Sequence, residues 1–204
     1  MQFAESPVQV IKTSIDLFVF ACFLQDAFNR GSITTISFQT NNRLDEGGRG
    51  IDFQATYTQP QLQTYTRNLV LMALGNTAIA TSKALEVLYG PINPTDTSPT
   101  GSGRVILYQI RCAFAHDPLN PVWTPNVRQY DRTYKVTIKV NRPSGESVTR
   151  REISFHPPSL KNRHLGADDF GGLGGYLGML HYFLAEANAH SKGHQPYSPS
   201  VEEV

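Results

Sequence analysis

Arg104-Val-Ile-Leu-Tyr-Gln-Ile-Arg-Cys-Ala-Phe-Ala-His-Asp-Pro118 is the stretch on which the fold turns. Leu107, Ile110 and Phe114 recur three or four residues apart and define one apolar helix face. Pro118 disfavours helical backbone at Asp117, so the helix is expected to stop at about His116. Around its last turns it carries a guanidinium, Arg111, and an imidazole, His116. Arginine grips phosphate through a planar fork of donors, and histidine is the side chain best placed to move protons near neutral pH. The two are five positions apart, which at about 100° per residue puts them on different sides of the helix. Two copies related by a two-fold axis would bring them to a common groove, so a homodimer belongs to any catalytic reading. The negative end of the helix dipole favours a cationic His116, and a purely structural helix cap would use the same residue.

Outward from this helix the periodicity changes. Tyr134, Val136, Ile138 and Val140 alternate with Thr133, Lys135, Thr137 and Lys139, the pattern of a half-buried strand. Arg142-Pro-Ser-Gly-Glu146 reads as a turn, and Val148 to Phe155 as the return strand, giving a β-hairpin over about 130–156. A further helix is expected from about Asp169 to Ala189, with Leu173, Leu177, Leu180 and Leu184 as its buried stripe. Residues 190–204 read as a disordered tail.

Upstream, Ser6-Pro7 starts a helix that runs to about Phe28 and stops at Asn29-Arg30-Gly31. Ile33, Ile36 and Phe38 suggest a short strand, and Asn41 to Gly50 a mobile loop. A long helix is expected from Gln59 to Tyr89, ended by Gly90-Pro91, with Leu62, Tyr65, Leu69, Met72 and Ile79 facing the core. Pro91 to Gly103 reads as a linker, with the motif helix starting near Arg104. The expected architecture is therefore mainly α: a single domain over residues 1–189, a bundle of four or more helices with an inserted hairpin.

The chain has 204 residues, 40% hydrophobic and 17% charged, which is a folded composition. Its net charge of +1 conceals an asymmetry. Residues 104–163 hold eleven Lys and Arg against four Asp and Glu, a net +7 in the segment that includes the motif. Such a segment suits a polyanionic partner, and equally the solvated face of a hairpin. Cys22 and Cys112 lie in apolar helical patterns and suit buried free thiols in a reducing cytoplasm. The N-terminus lacks the order of a signal peptide, and the apolar run Leu17–Leu24 is far short of the roughly 20 residues that span a membrane. Cytoplasmic location without membrane contact is the expectation.

Arg111-Cys-Ala-Phe-Ala-His116 resembles the Arg-x4–6-His signature of HEPN domains, the higher eukaryotes and prokaryotes nucleotide-binding superfamily. The wider phrase Ile110 to Pro118 with Trp123, and Asp169-Phe-Gly-Gly172 before an apolar helix, resemble a bacterial branch of it. The resemblance implies a helical bundle, a homodimer and RNA as the bound polymer. Many HEPN proteins are metal-independent endoribonucleases whose site combines Arg/His pairs from two protomers. On that pattern Arg111 would hold the phosphate and His116 would act as general acid/base, leaving a 2′,3′-cyclic phosphate and a 5′-hydroxyl. Tyr108, Cys112, Asp117, Lys135, Lys139 and Arg150 are the expected substrate-binding residues, with no metal and no cofactor. Cys112 stands where active members commonly carry Asn. Some HEPN proteins bind a nucleotide or a partner protein without cutting, and that is the alternative reading.

Other signals are weaker. Asp168-Asp-Phe-Gly-Gly-Leu-Gly-Gly175 lacks the third spaced glycine of a dinucleotide loop and the Gly-Lys-Ser/Thr of a P-loop, so its glycines are expected to serve close packing. No paired-cysteine motif points to zinc. Cys112 with His116 at i+4 would be a minimal nucleophile–base pair. Trp123, between Pro121 and Pro125, is expected to cover the bundle rather than stack a base.

Overall fold

The computed structural model describes residues 5–33, 36–46, 49–140 and 149–193. The chain is mainly helical, with two antiparallel hairpins. Helix α1 (Pro7–Asn29) starts where Ser6 Oγ accepts the Gln9 N–H at 3.2 Å, with Pro7 in the first turn. It is followed by β1 (Ile36–Glu46) and β2 (Arg49–Tyr57), paired from Ile36–Tyr57 to Glu46–Arg49 with an irregularity between Phe38 and Asn42. The expected loop at Asn41–Gly50 is thus strand on both sides, with only 47–48 outside the described residues. A strand this polar gives no alternation to read. Its pairing rests on backbone hydrogen bonds, which leave no mark in side-chain pattern.

Helix α2 (Gln59–Tyr89) occupies the expected span. Gln61 Oε1 accepts the Thr58 N–H at 2.9 Å at its start, and Gly90 ends it with φ 74°. Three helices meet its middle. Thr77 Oγ1 donates to Ser14 O of α1 at 3.1 Å. Gly75 lies so close to Phe114 of helix α3 (Pro99–His116) that a Cβ there would be 2.6 Å from the ring. The Tyr176 hydroxyl of helix α5 (Gly172–Ser191) donates to Leu74 O at 3.0 Å. Residues 74–77 are therefore the hub of the bundle.

The facing of α2 corrects the sequence reading. Of the expected stripe only Leu62 is buried; Tyr65, Leu69, Met72 and Ile79 are 49%, 39%, 53% and 40% exposed. The buried face is Thr66, Val70, Leu74, Gly75, Thr77, Ala78, Thr81, Ser82 and Leu85. Small residues stand among Val70, Leu74 and Leu85 on this face because three helices approach closely, and the hydroxyls of Thr66 and Thr77 find acceptors on the helix itself. Thr66 Oγ1 donates to Leu62 O at 2.8 Å, and Thr77 Oγ1 to Ala73 O at 2.6 Å.

Helix α3 begins at Pro99, five residues before the expected start, capped by Ser98 Oγ on the Gly101 N–H at 3.0 Å. The Gly/Ser-rich run before Arg104 is helix rather than linker. Gly103 is small because a Cβ would stand 2.7 Å from the Phe183 ring. The second hairpin, β3 (Tyr134–Val140) and β4 (Thr149–Phe155), is where expected, and lies on α3 and α5. Tyr134, Val136, Ile138, Ile153 and Phe155 form its buried face. The turn at 141–148 lies outside the described residues.

A one-turn helix α4 (Pro157–Leu160) and a 3-10 turn (Ala167–Phe170) lead into α5. Gly171 makes the corner with φ 86°. The buried stripe of α5 is Tyr176, Met179, Leu180, Phe183 and Ala187; of the four leucines expected there, only Leu180 is fully inside. The aromatic rings set the facing, since Tyr176 packs edge-on against both Phe18 and Phe170. The helix runs to Ser191, two residues into the expected tail, and the tail from 194 lies outside the described residues. Of the glycines in Asp168–Gly175 expected to serve close packing, Gly171 and Gly175 do, with an added Cβ 2.9 Å from Ile153 Cγ1 and 3.2 Å from Phe170 O, whereas Gly174 has nothing within 4 Å. Further on, Gly178 leaves room for Ile138, whose Cδ1 would be 2.8 Å from an added Cβ.

Helix α1 has 23 residues and a mean hydropathy of 1.5 in its most apolar window, which by length and composition is enough to cross a membrane. The short apolar run at Leu17–Leu24 understated it. Ile11, Ile15 and Phe18 of that helix are buried in the bundle, while Leu17, Phe20 and Phe23 are exposed.

Candidate functional site

The motif helix ends as its sequence dictates. Asp117 is extended (φ −147°, ψ 101°), and its Oδ1 accepts the N–H groups of Leu119 and Asn120, each at 3.1 Å. Asp117 is thereby committed to the turn that breaks the helix before Pro118. His116 is the last helical residue and is exposed. Arg111 is half-buried, its Cζ 5.7 Å from the centroid of the Tyr108 ring one turn earlier. The guanidinium therefore leans towards the N-terminus. Residues 108 and 116 are separated by about 12 Å of helix rise. Within one chain the structure does not bring Arg111 and His116 together.

Tyr108, Arg111 and Cys112 form one compact group. The Tyr108 hydroxyl is pushed above its ordinary range chiefly by its hydrogen bond with the Cys112 thiol, against the opposing pull of Arg111. The Tyr130 ring lies tilted beside that of Tyr108, centroids 5.9 Å apart, and burial pushes its hydroxyl up to about 12. Cys112 is half-buried and lies beside Tyr108.

Sequence reading missed the partners that come from α2. Lys83 Nζ lies 2.7 Å from Glu86 Oε2. Lys83's hydrogen bond holds the Glu86 carboxyl below its usual range, and Arg111 and Arg104 add to the pull. Arg104 lies over the Tyr89 ring at 5.6 Å and donates to Gly90 O. Arg104, Tyr108 and Arg111 thus form one face of α3, at i, i+4 and i+7, turned towards the end of α2. The positions are 14 to 28 residues apart in sequence, so no local motif could have announced them.

The basic hairpin contributes on a different element. Lys135 Nζ pairs with Glu152 Oε1 at 3.1 Å, both exposed. Lys139 stands directly opposite Arg150 in the register. The side chains of these two lie outside the described residues. Like charges directly across a strand pair are unfavourable without an anion between them.

Two sequence candidates are structural. Trp123 is buried, stacks near Phe155 at 5.2 Å and donates through Nε1 to Asp169 Oδ2 at 2.8 Å. Asp169 also accepts from Gly166 N at 3.0 Å and from Arg163 Nη2 at 3.2 Å, so it locks the corner before α5. Among the described residues no group of three His, Cys, Asp or Glu side chains is placed to hold a metal ion. An open groove of about 570 Å³ between α1 and α5 is lined by Ile15, Val19, Phe20, Phe23, Asp16 and His181, away from the motif.

No protein-family model, no curated protein and no solved structure matches the chain. The class that the fold defines is a mainly helical, bundle-like protein carrying two β-hairpins.

Proposed function

We propose that the chain is a HEPN-like, cytoplasmic RNA-binding protein in which two protomers combine Arg111 and His116 into one metal-independent endoribonuclease site. The observation that carries this reading is the end of α3: an exposed imidazole follows a guanidinium on a helix against which a basic hairpin packs. Arg111 supplies planar donors to a phosphate and stabilises the charge that develops on it. His116, open to solvent, takes the proton of a ribose 2′-hydroxyl or delivers one to the leaving 5′-oxygen. Lys135, Lys139 and Arg150 hold the backbone of the polymer by charge, which makes binding fall steeply with salt.

The stacking of Arg111 on Tyr108, directed away from His116, favours a second reading: a module of the same type that binds a nucleotide, RNA or a partner protein without cutting it. One experiment separates the two. The protein and its His116→Ala variant are incubated with mixed RNA in EDTA. Cleavage by the first and a loss of roughly 100-fold or more in the second supports the nuclease. Equal absence of cleavage, with RNA retained in a salt-sensitive complex, supports the binding module.

A further inference from the structure

The outward face of α2 carries Tyr65, Leu69, Met72, Asn76 and Ile79, at steps of four, three, four and three residues. Lys83 and the exposed Val87 continue the line. This is the spacing of a seam that pairs one helix with another. Within the described chain, Tyr57 touches its first residue at 5.5 Å, and the large side chains beyond stay open to solvent. A buried-core explanation fails, because the core of the bundle lies on the opposite side of the helix.

We propose that this stripe is the contact between two copies of the chain, with α2 lying antiparallel to its mate across a two-fold axis at Asn76. The proposal rests on the two-protomer reading above and says where the two protomers meet. Three observations select a second copy as the occupant. The first is area. At roughly 200 Å² for a fully exposed large side chain, the five apolar residues offer about 450 Å² per chain. Two chains then cover about 900 Å² before Asn76, Lys83 and their neighbours are added, close to the about 1,200 Å² at which specific interfaces begin. The second is self-complementarity. Antiparallel pairing about residue 76 sets Tyr65 against Val87 and Leu69 against the aliphatic stem of Lys83, with Met72 opposite Ala80, beside Ile79. Asn76 meets Asn76, and an amide can both donate and accept. Parallel pairing would instead set Lys83 against Lys83. The third is position. Gly75, the residue before Asn76, is packed under Phe114, and His116 follows Phe114 by two residues. An axis at Asn76 therefore has the motif-bearing end of α3 beside it in both copies.

The test uses the full chain. Size-exclusion chromatography with light scattering is expected to show a dimer. Met72→Glu with Ile79→Glu, both at exposed positions, should raise its dissociation constant at least about tenfold with an unchanged circular-dichroism spectrum. Asn76→Cys should form an intermolecular disulfide under mild oxidation, and Tyr65→Cys should not, because only residue 76 meets itself in an antiparallel pair. A monomer at every concentration would overturn the proposal. So would Tyr65→Cys linking as readily as Asn76→Cys, or wild-type protein floating with neutral lipid vesicles while remaining monomeric. Failure of the nuclease reading is distinguishable: a dimer that cross-links at residue 76 but leaves RNA intact keeps the interface and loses the chemistry.

Discussion

The two faces of α2 both carry apolar side chains and differ in their neighbours. The face inside the bundle interleaves Leu62, Val70, Leu74 and Leu85 with the small residues Thr66, Gly75, Thr77, Ala78, Thr81 and Ser82, and the face outside carries Tyr65, Leu69, Met72 and Ile79. What decided is distance: α1, α3 and α5 all reach α2 at residues 74–77, where Gly75 and Thr77 make room beside the buried Leu74. Tyr65, Leu69, Met72 and Ile79 are left exposed on the other side. Neighbouring positions on one helix should therefore answer very differently to the same substitution.

The largest contrast is between Leu74 and Met72, two residues apart. Leu74 is buried at the hub, so Leu74→Ala is expected to destabilise the protein by about 2–5 kcal/mol through lost burial and the cavity left behind. Met72→Ala is expected to stay within about 0.5 kcal/mol under monomeric conditions, since it leaves a solvated face. Urea titrations of the two variants at low protein concentration measure both. Comparable losses would mean that the outer stripe is part of the folding core and would dissolve the contrast.

A subtler version concerns Thr77, whose one hydroxyl proton is shared between Ala73 O at 2.6 Å and Ser14 O at 3.1 Å. Thr77→Val keeps the volume and removes the donor. The expected loss is about 1 kcal/mol, because the Ser14 carbonyl is left short of a partner at the α1–α2 contact. Thermal unfolding checks it. A neutral or stabilising result would show that the small-residue face works by fit alone.

The same contrast explains what could be read from sequence. Helix spans were legible where the ends carry start or stop signals: Ser6-Pro7, Pro60, Gly90-Pro91 and Pro118 after His116 all stand where the helices start or stop. The second hairpin was legible because Tyr134, Val136 and Ile138 alternate with polar residues. The first was not, since its strands carry no such alternation through Asn41–Gly50 and its pairing is a backbone property. Facing failed in α2 and α5 for one reason. An apolar stripe says that a surface will be covered and not by what, and close approach at Gly75, Gly103 and Gly178 outranks it. At the site, Arg111, Cys112 and Tyr108 fall together because a helix brings i, i+3 and i+4 to one face. Asp117 was placed correctly at the helix end but is spent on the turn. Lys83 and Glu86 approach from another helix and left no local signal.

The flank of α2 between its two faces gives the smallest expected effect. There Lys83, aided by Arg111 and Arg104, holds the Glu86 carboxyl below its ordinary value. A carboxyl whose pKa is lower folded than unfolded adds stability above its unfolded value, about 4.3, and that stability is lost as pH falls through the folded value. The group is well exposed, so solvent screening keeps the contribution to a few tenths of a kcal/mol. Glu86→Gln should therefore lower stability slightly at pH 6 and leave it unchanged at pH 2, where the wild-type carboxyl is also uncharged. Melting temperatures taken from pH 6 downwards should converge for the two proteins below about pH 4. A gap that instead widens on acidification would mean that Glu86 is repelled by its surroundings, and that the cations of α3 are turned away from α2 rather than towards it.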